Sequence, residues 1–235
     1  MSAPLDGCWG LAHVLRTLVL GLGFWLAITA NAGAAPYLLD FTNPAPWAGA
    51  NNQTTFSTVV GGVTVTLTAI GNNSPKMSFN SSTDERAGCQ SGIAAGPMHG
   101  LTCGGDGIGI GDDDEITEGG VERLVVDFSR PVQVTNIELM DLFNNSSELE
   151  RALISLNGGA SFTQVTSNNA LGGYYSTHLG SMSVARIIFK SYSDAVSDYA
   201  VARLSLVINP APEPASAALL LLGTLALPRL RRRKA

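Results

Sequence analysis

Histidine, cysteine and charge are all scarce in this chain of 235 residues, which has 3 His, 3 Cys and only 14% Asp, Glu, Lys and Arg. Acid–base and zinc chemistry through imidazole is therefore confined to His13, His99 and His178. No Cys-x-x-Cys accompanies them to complete a tetrahedral nitrogen–sulfur site. A Gly-x-Ser-x-Gly elbow is missing, and no Gly-Lys-Ser/Thr follows a glycine-rich stretch, so neither a serine-hydrolase motif nor a phosphate loop is present. Between Tyr37 and Ile208 there is no convincing apolar repeat of helical period, which leaves little room for helices. Nor is there a repeat of propeller-blade length.

What is present begins with two marked ends. Residues 1–34 read as a secretory leader, to be handled by the export machinery and signal peptidase. Arg16 gives the positive region and Thr17 to Thr29 the apolar one, while Ala32-Gly33-Ala34 fits the small-x-small rule with cleavage after Ala34. Residues 210–235 form the other end. There Pro212, Glu213 and Pro214 precede an apolar run from Ala215 to Pro228, closed by Arg229, Arg231, Arg232, Arg233 and Lys234. The prolines break whatever precedes them and allow a helix to start afresh. The basic cluster prefers the cytoplasmic face of a membrane. Fourteen helical residues span about 21 Å against a hydrocarbon core of about 30 Å, a short anchor suited to being held briefly.

Triplet, apolar run and basic terminus together resemble the C-terminal sorting signal of PEP-CTERM proteins, which Gram-negative bacteria export and an exosortase processes. The resemblance implies a transient stay in the inner membrane through a C-terminal transmembrane helix. Release or attachment at the cell surface or in an extracellular matrix then follows, within an exopolysaccharide or biofilm layer.

Removing both ends leaves residues 35–209 as the mature body. Between Pro36 and Asn209 it has 8 Lys/Arg against 17 Asp/Glu, so 8 − 17 = −9. Such an acidic body is a poor partner for nucleic acid or anionic lipid. Thr54 to Ala69 carries the plainest β pattern, with Val63, Val65, Leu67 and Ala69 alternating with Thr64, Thr66 and Thr68. One wet face and one apolar face indicate an antiparallel sheet. Similar runs occupy Tyr37–Thr42, Val121–Phe128, Val132–Met140, Arg151–Leu156, Phe162–Thr166, Tyr174–His178, Val184–Tyr192 and Tyr199–Ile208. About nine or ten short strands predict an all-β antiparallel sandwich of jelly-roll type, flanked by the signal helix and the C-terminal helix, with a barrel or propeller fragment as alternative.

Two stretches interrupt the strands. Asn72 to Gly107 holds Cys89 and Cys103, the only cysteines left once Cys8 departs with the leader. In an oxidising compartment they are expected to pair, stabilising the fold by about 3 kcal/mol in the chain-entropy account. Gly104 to Thr117 then places Asp106 shortly before Asp112, Asp113, Asp114 and Glu115. Two readings stay open for these carboxylates, a solvated acidic turn or a Ca²⁺ site, although the spacing matches neither an EF-hand nor a calcium-binding nonapeptide. The block GIGIGDDDEI, followed by a strand and the MDLF of Met140–Phe143, is similar to a pattern in exported PEP-CTERM proteins, where it implies a β-rich ectodomain of unassigned activity.

Three functions follow as expectations. The first is an exported surface or matrix protein without catalytic activity. The second is a carbohydrate-binding module for a polysaccharide, with Trp47, Tyr174, Tyr175, Tyr192 and Tyr199 as aromatic candidates. The third is a hydrolase, which requires a cleft with close carboxylates.

Overall fold

The alternation in the sequence becomes a single antiparallel sheet of ten strands. The computed structural model describes residues 34–79, 89, 100–111, 115–117, 121–144, 149–167, 173–193 and 197–209. The leader, the Pro212–Pro214 triplet, the basic tail and both expected terminal helices lie outside these residues, apart from exposed Ala34. Among the described residues no helix is long and apolar enough to cross a membrane.

The strands are β1 (Ala35–Asp40), β2 (Thr55–Val60), β3 (Val63–Ile70), β4 (Met77–Phe79), β5 (Ile108–Ile110), β6 (Arg123–Met140), β7 (Ala152–Ser155), β8 (Thr163–Val165), β9 (Tyr175–Ser191) and β10 (Ala200–Ile208). In β3 the residues Val63, Val65, Leu67 and Ala69 are buried and their threonine neighbours are not, as the period of two requires. The run expected as one β stretch from Thr54 to Ala69 is a hairpin. Gly61 and Gly62, with φ of 56° and 73°, form the two-residue turn whose positive angles match the twist of paired strands.

Two strands organise the rest. β6 and β9 are each read in the sequence as two strands, because Pro131 and Gly180 look like breaks, yet each runs through as one. The irregularities survive as bends. Between Asp127↔Arg186 and Val132↔Val184 the longer path is on β6, and between Val134↔Met182 and Asn136↔His178 it is on β9. Extra residues on alternate strands kink the pair and raise its twist, and Pro131 sits at the bulge, where a missing N–H costs no ladder bond.

On one side of this bend the first half of β6 pairs with β3, and β3 with β2, while β9 continues to β7 and β8. On the other side the second half of β6 pairs with β10, which pairs with β1 and, at Val201, with β5. The sheet curls over its own apolar face, consistent with a β-sandwich. Enclosed there are Phe41, Val65, Leu67, Leu124, Val134, Ile137, Phe189, Val201, Leu204 and their neighbours. Each such large side chain contributes about 1.5–3 kcal/mol on burial.

A smaller apolar cluster lies apart from this core. Cys89, Leu101 and Cys103 cover Met140 of β6 and Ala202 of β10, with Tyr174 against them. Cys89 and Cys103 are joined by a disulfide with their Cα atoms 5.5 Å apart. The clip is fastened to the end of β1 by polar contacts. Asp40 accepts from the Thr102 amide at 3.1 Å and hydroxyl at 2.8 Å, and the Thr42 carbonyl accepts from the amides of Gly104 at 2.8 Å and Gly105 at 3.1 Å.

Candidate functional site

Acidic side chains accumulate where β6 ends. Met140 pairs with Ala200, so Asp141, at φ 60°, comes beside the segment that leads into β10. The Ile116 amide donates to the Tyr199 carbonyl at 2.8 Å, which sets Glu115 and Asp198 on adjoining positions. Gly107 packs so closely on β10 that a Cβ there would stand 2.5 Å from the Val201 carbonyl oxygen, and this carries Asp106 into the same region. Glu150 arrives from the connection before β7, held by the Phe143 amide, which donates to its carboxylate. A return bond runs from the Glu150 amide to the Phe143 carbonyl at 3.1 Å.

Little of this is open to water. Asp106 is 0% exposed, Glu150 5% and Asp141 8%. Burial first, then the facing carboxylates of Asp106, Glu115, Asp198 and Glu150, pushes Asp141 well above the ordinary carboxyl range. Burial is also the main cause for Glu150, pushed up to about 8 against the amide of Phe143, with Asp198 and Glu115 adding repulsion. Neighbouring anions in a poorly solvated place favour the neutral form. The Cys89 amide donates to Asp106 at 2.9 Å, so the clip and the acidic cluster share a residue.

Of the acidic residues singled out in the sequence, Asp106 and Glu115 belong to this cluster, while Asp112, Asp113 and Asp114 lie outside the described residues. Asp141, Glu150 and Asp198 were not singled out. They are 9 to 57 positions apart along the chain, and only the sheet register joins them. The Asp in the MDLF stretch was the one available signal, since it directly follows a strongly apolar strand.

The aromatic candidates need correction. Trp47 is 4% exposed and Tyr199 0%, so neither offers a ring to a ligand. Trp47 lies 4.7 Å from Phe41, centroid to centroid, and donates its indole N–H to the Asp40 carbonyl at 2.9 Å. Tyr192 packs beneath the Arg151 guanidinium at 4.8 Å. Tyr174 and Tyr175 remain half-buried.

Tyr174 borders a polar row on the outer face of β9, β6 and β10. Ser176 donates to Asn136 at 3.2 Å, Asn136 donates to Glu138 at 2.8 Å, and Arg203 meets the same Glu138 oxygen through Nε at 3.0 Å and Nη2 at 2.8 Å. His178, opposite Asn136 in the register, is exposed beside the row. Burial raises the Tyr174 phenol above its ordinary value, with Ser176 and Glu138 as its polar neighbours.

No family model matches the chain, and no curated protein matches it. Among solved structures it is similar to the CBM32 module of AlyQ in complex with 4,5-unsaturated mannuronic acid, with TM-score 0.28, 12% identity, and coverage of 66% of this chain and 99% of that one. It is also similar to CBM32-1 from a family 31 glycoside hydrolase from Clostridium perfringens, with TM-score 0.27, 12% identity, and coverage of 59% and 95%. At such scores the likeness carries no argument about this chain.

Proposed function

We propose that the β body is a non-catalytic, polysaccharide-binding module that works outside the cytosol, in an envelope or matrix layer. The observation that carries the binding half is the exposed Ser176 and His178 beside half-buried Asn136 and the Tyr174 ring, with Asn136 held from behind by the enclosed Glu138–Arg203 pair. Sugar recognition calls for an aromatic surface flanked by hydrogen-bonding groups whose positions are fixed beforehand. Here the donors and acceptors are fixed by one another across three strands. Affinity electrophoresis against a panel of acidic and neutral polysaccharides tests this. Retardation that weakens in Tyr174→Ala and in His178→Ala supports it, and no retardation of the folded protein by any glycan overturns it.

The export half is supported by the disulfide, a bond that persists in oxidising compartments. On this reading residues 1–34 are the leader and residues 210–235 the sorting signal cut by an exosortase after a transient stay in the inner membrane. The body beyond that membrane is of jelly-roll type, flanked by the two terminal helices. Mass spectrometry of the mature species from its native host checks it. Trimming near Ala34 and near Pro212–Pro214 is the expected result, and an untrimmed cytosolic chain overturns it.

The carboxylates with raised proton affinity do not favour a hydrolase. Glycoside hydrolysis needs its acid and its base on either side of a substrate, whereas Asp141 and Glu150 are almost wholly enclosed.

A further inference from the structure

We propose that the outer face of the sheet takes an uncharged, linear polysaccharide lengthwise, laid across the strands from His178 to Leu38. The inference rests on the polysaccharide reading above and deepens it, since it names the class of glycan and the direction in which the chain runs.

Register is the first ground. Leu38 of β1 stands opposite Ser205 of β10, Ser205 opposite Asn136 of β6, and Asn136 opposite His178 of β9. All four side chains share one face, because the chain neighbours Leu39, Leu204 and Ile137 are in the core and Ser176, two places from His178, donates to Asn136. Neighbouring strands lie about 4.8 Å apart, so three steps carry this row about 14 Å. That is longer than one sugar ring. Tyr174 and His178 mark one end of the platform, and Leu38, 61% exposed, gives the other end an apolar surface for the C–H face of a further ring.

The flanks fix the direction. Parallel to this row, Asp40, Arg203, Glu138 and Ser176 stand opposite one another in turn, and beyond them the disulfide clip covers Met140 and Ala202. Gly100 of the clip accepts from Arg203 Nη1 at 3.2 Å, and Thr102 donates to Asp40. The clip is therefore a wall along one long side of the row. On the other side the next row ends in Pro36 and Ser183, both exposed. A chain lying against the wall runs across the strands rather than along them.

Charge selects the class. Between Pro36 and Asn209 there are 8 Lys/Arg against 17 Asp/Glu, yet the row from Leu38 to His178 carries no carboxylate, ammonium or guanidinium. The two carboxylates beside it are already engaged. Asp40 accepts from Thr42 as well as Thr102, and Glu138, 2% exposed, holds Arg203. A polymer of uronic acids would meet the field of an acidic body, with the neighbouring guanidinium of Arg203 already bound to Glu138. A neutral chain needs only the hydrogen-bonding and apolar groups that are there.

The test applies affinity electrophoresis and calorimetry to the full-length protein. Glucomannan and hydroxyethylcellulose serve as neutral linear probes, alginate and polygalacturonate as acidic ones, and cello- and manno-oligosaccharides from disaccharide to hexasaccharide as a length series. The expected result is retardation by a neutral linear polymer that survives added salt, with the acidic polymers weaker, and an affinity that rises about tenfold or more from disaccharide to hexasaccharide. Leu38→Ser, at an exposed position outside the core, lowers hexasaccharide affinity about fivefold and leaves disaccharide affinity unchanged, whereas Tyr174→Ala lowers both. Equal affinity for short and long oligosaccharides, a preference for an acidic polymer, or a folded Leu38→Ser that matches the parent on the hexasaccharide overturns the inference, while the binding reading survives wherever Tyr174→Ala still weakens retardation. No retardation by any polymer of either kind overturns both.

Discussion

The guanidinium of Arg203 lies 2.8 Å from the carboxylate of Glu138, with 12% of one side chain and 2% of the other exposed. An ion pair this enclosed differs from that of Arg186 and Asp127, 51% and 32% exposed, because solvent cannot replace a missing partner. Arg203→Ala leaves Glu138 charged and enclosed, and is expected to destabilise the fold by about 3–5 kcal/mol, whereas Arg186→Ala costs about 0–1 kcal/mol. Urea denaturation of the two variants in parallel checks the contrast. Equal losses would remove the distinction.

Cys89→Ser and Cys103→Ser each release the clip over Met140 and Ala202. With a sequence separation of 14, the expected loss is about 3 kcal/mol. The same loss should appear on reducing the parent protein, and the reduced parent and the variants should then melt together.

Gly107 has φ 150° and would bring a Cβ to 2.5 Å from the Val201 carbonyl oxygen. Neither the angle nor the clash suits a side chain, and the opposing atom is main chain, which cannot swing aside. Gly107→Ala is expected to cost about 2 kcal/mol or more. Gly62→Ala, where nothing lies within 4 Å, meets the unfavourable positive angle alone and should cost less.

Much of this architecture could be read from the sequence, for stated reasons. Strand β3 and the second half of β10 declare themselves by apolar alternation, because one face of each lies in the core and the other does not, while β1 is marked only by its apolar Leu38 and Leu39. The long strands are harder. Pro131 and Gly180 are local breakers, and nothing near them in sequence says that the partner strand will carry the chain through the bend. Strands β4 and β5 have three residues each, too few to show a period, and they exist because Met77 and Phe79 find Ile110 and Ile108. The acidic cluster was half visible. Asp106 and Glu115 stood beside an obvious run of acids, but Asp141, Glu150 and Asp198 are isolated in the chain and meet only through register. Trp47 misled because a tryptophan in a turn-rich stretch looks exposed, whereas its N–H finds a carbonyl and its ring finds Phe41.

The protein should lose stability as pH rises. Glu150 holds its proton up to about 8 in the native state, against an ordinary value of 4.5, so between those values the native state binds more protons than the unfolded chain. The slope of unfolding free energy with pH is then negative, and Asp141, shifted in the same direction, adds to it. Melting midpoints are expected to fall across that interval, and Glu150→Gln, which cannot ionise, should flatten the fall. A midpoint that rises over the same range would contradict the electrostatics described for these two side chains.

Ala35 pairs with Ile208, so the chain enters and leaves the body at one corner. Any pull transmitted through the segment after Asn209 therefore loads β10 first, and β10 is flanked by β1 on one edge and β6 on the other. Drawing that strand out lengthwise requires its bonds on both edges to yield together rather than one after another. A body fastened by this end resists traction through a strand laced along both of its edges.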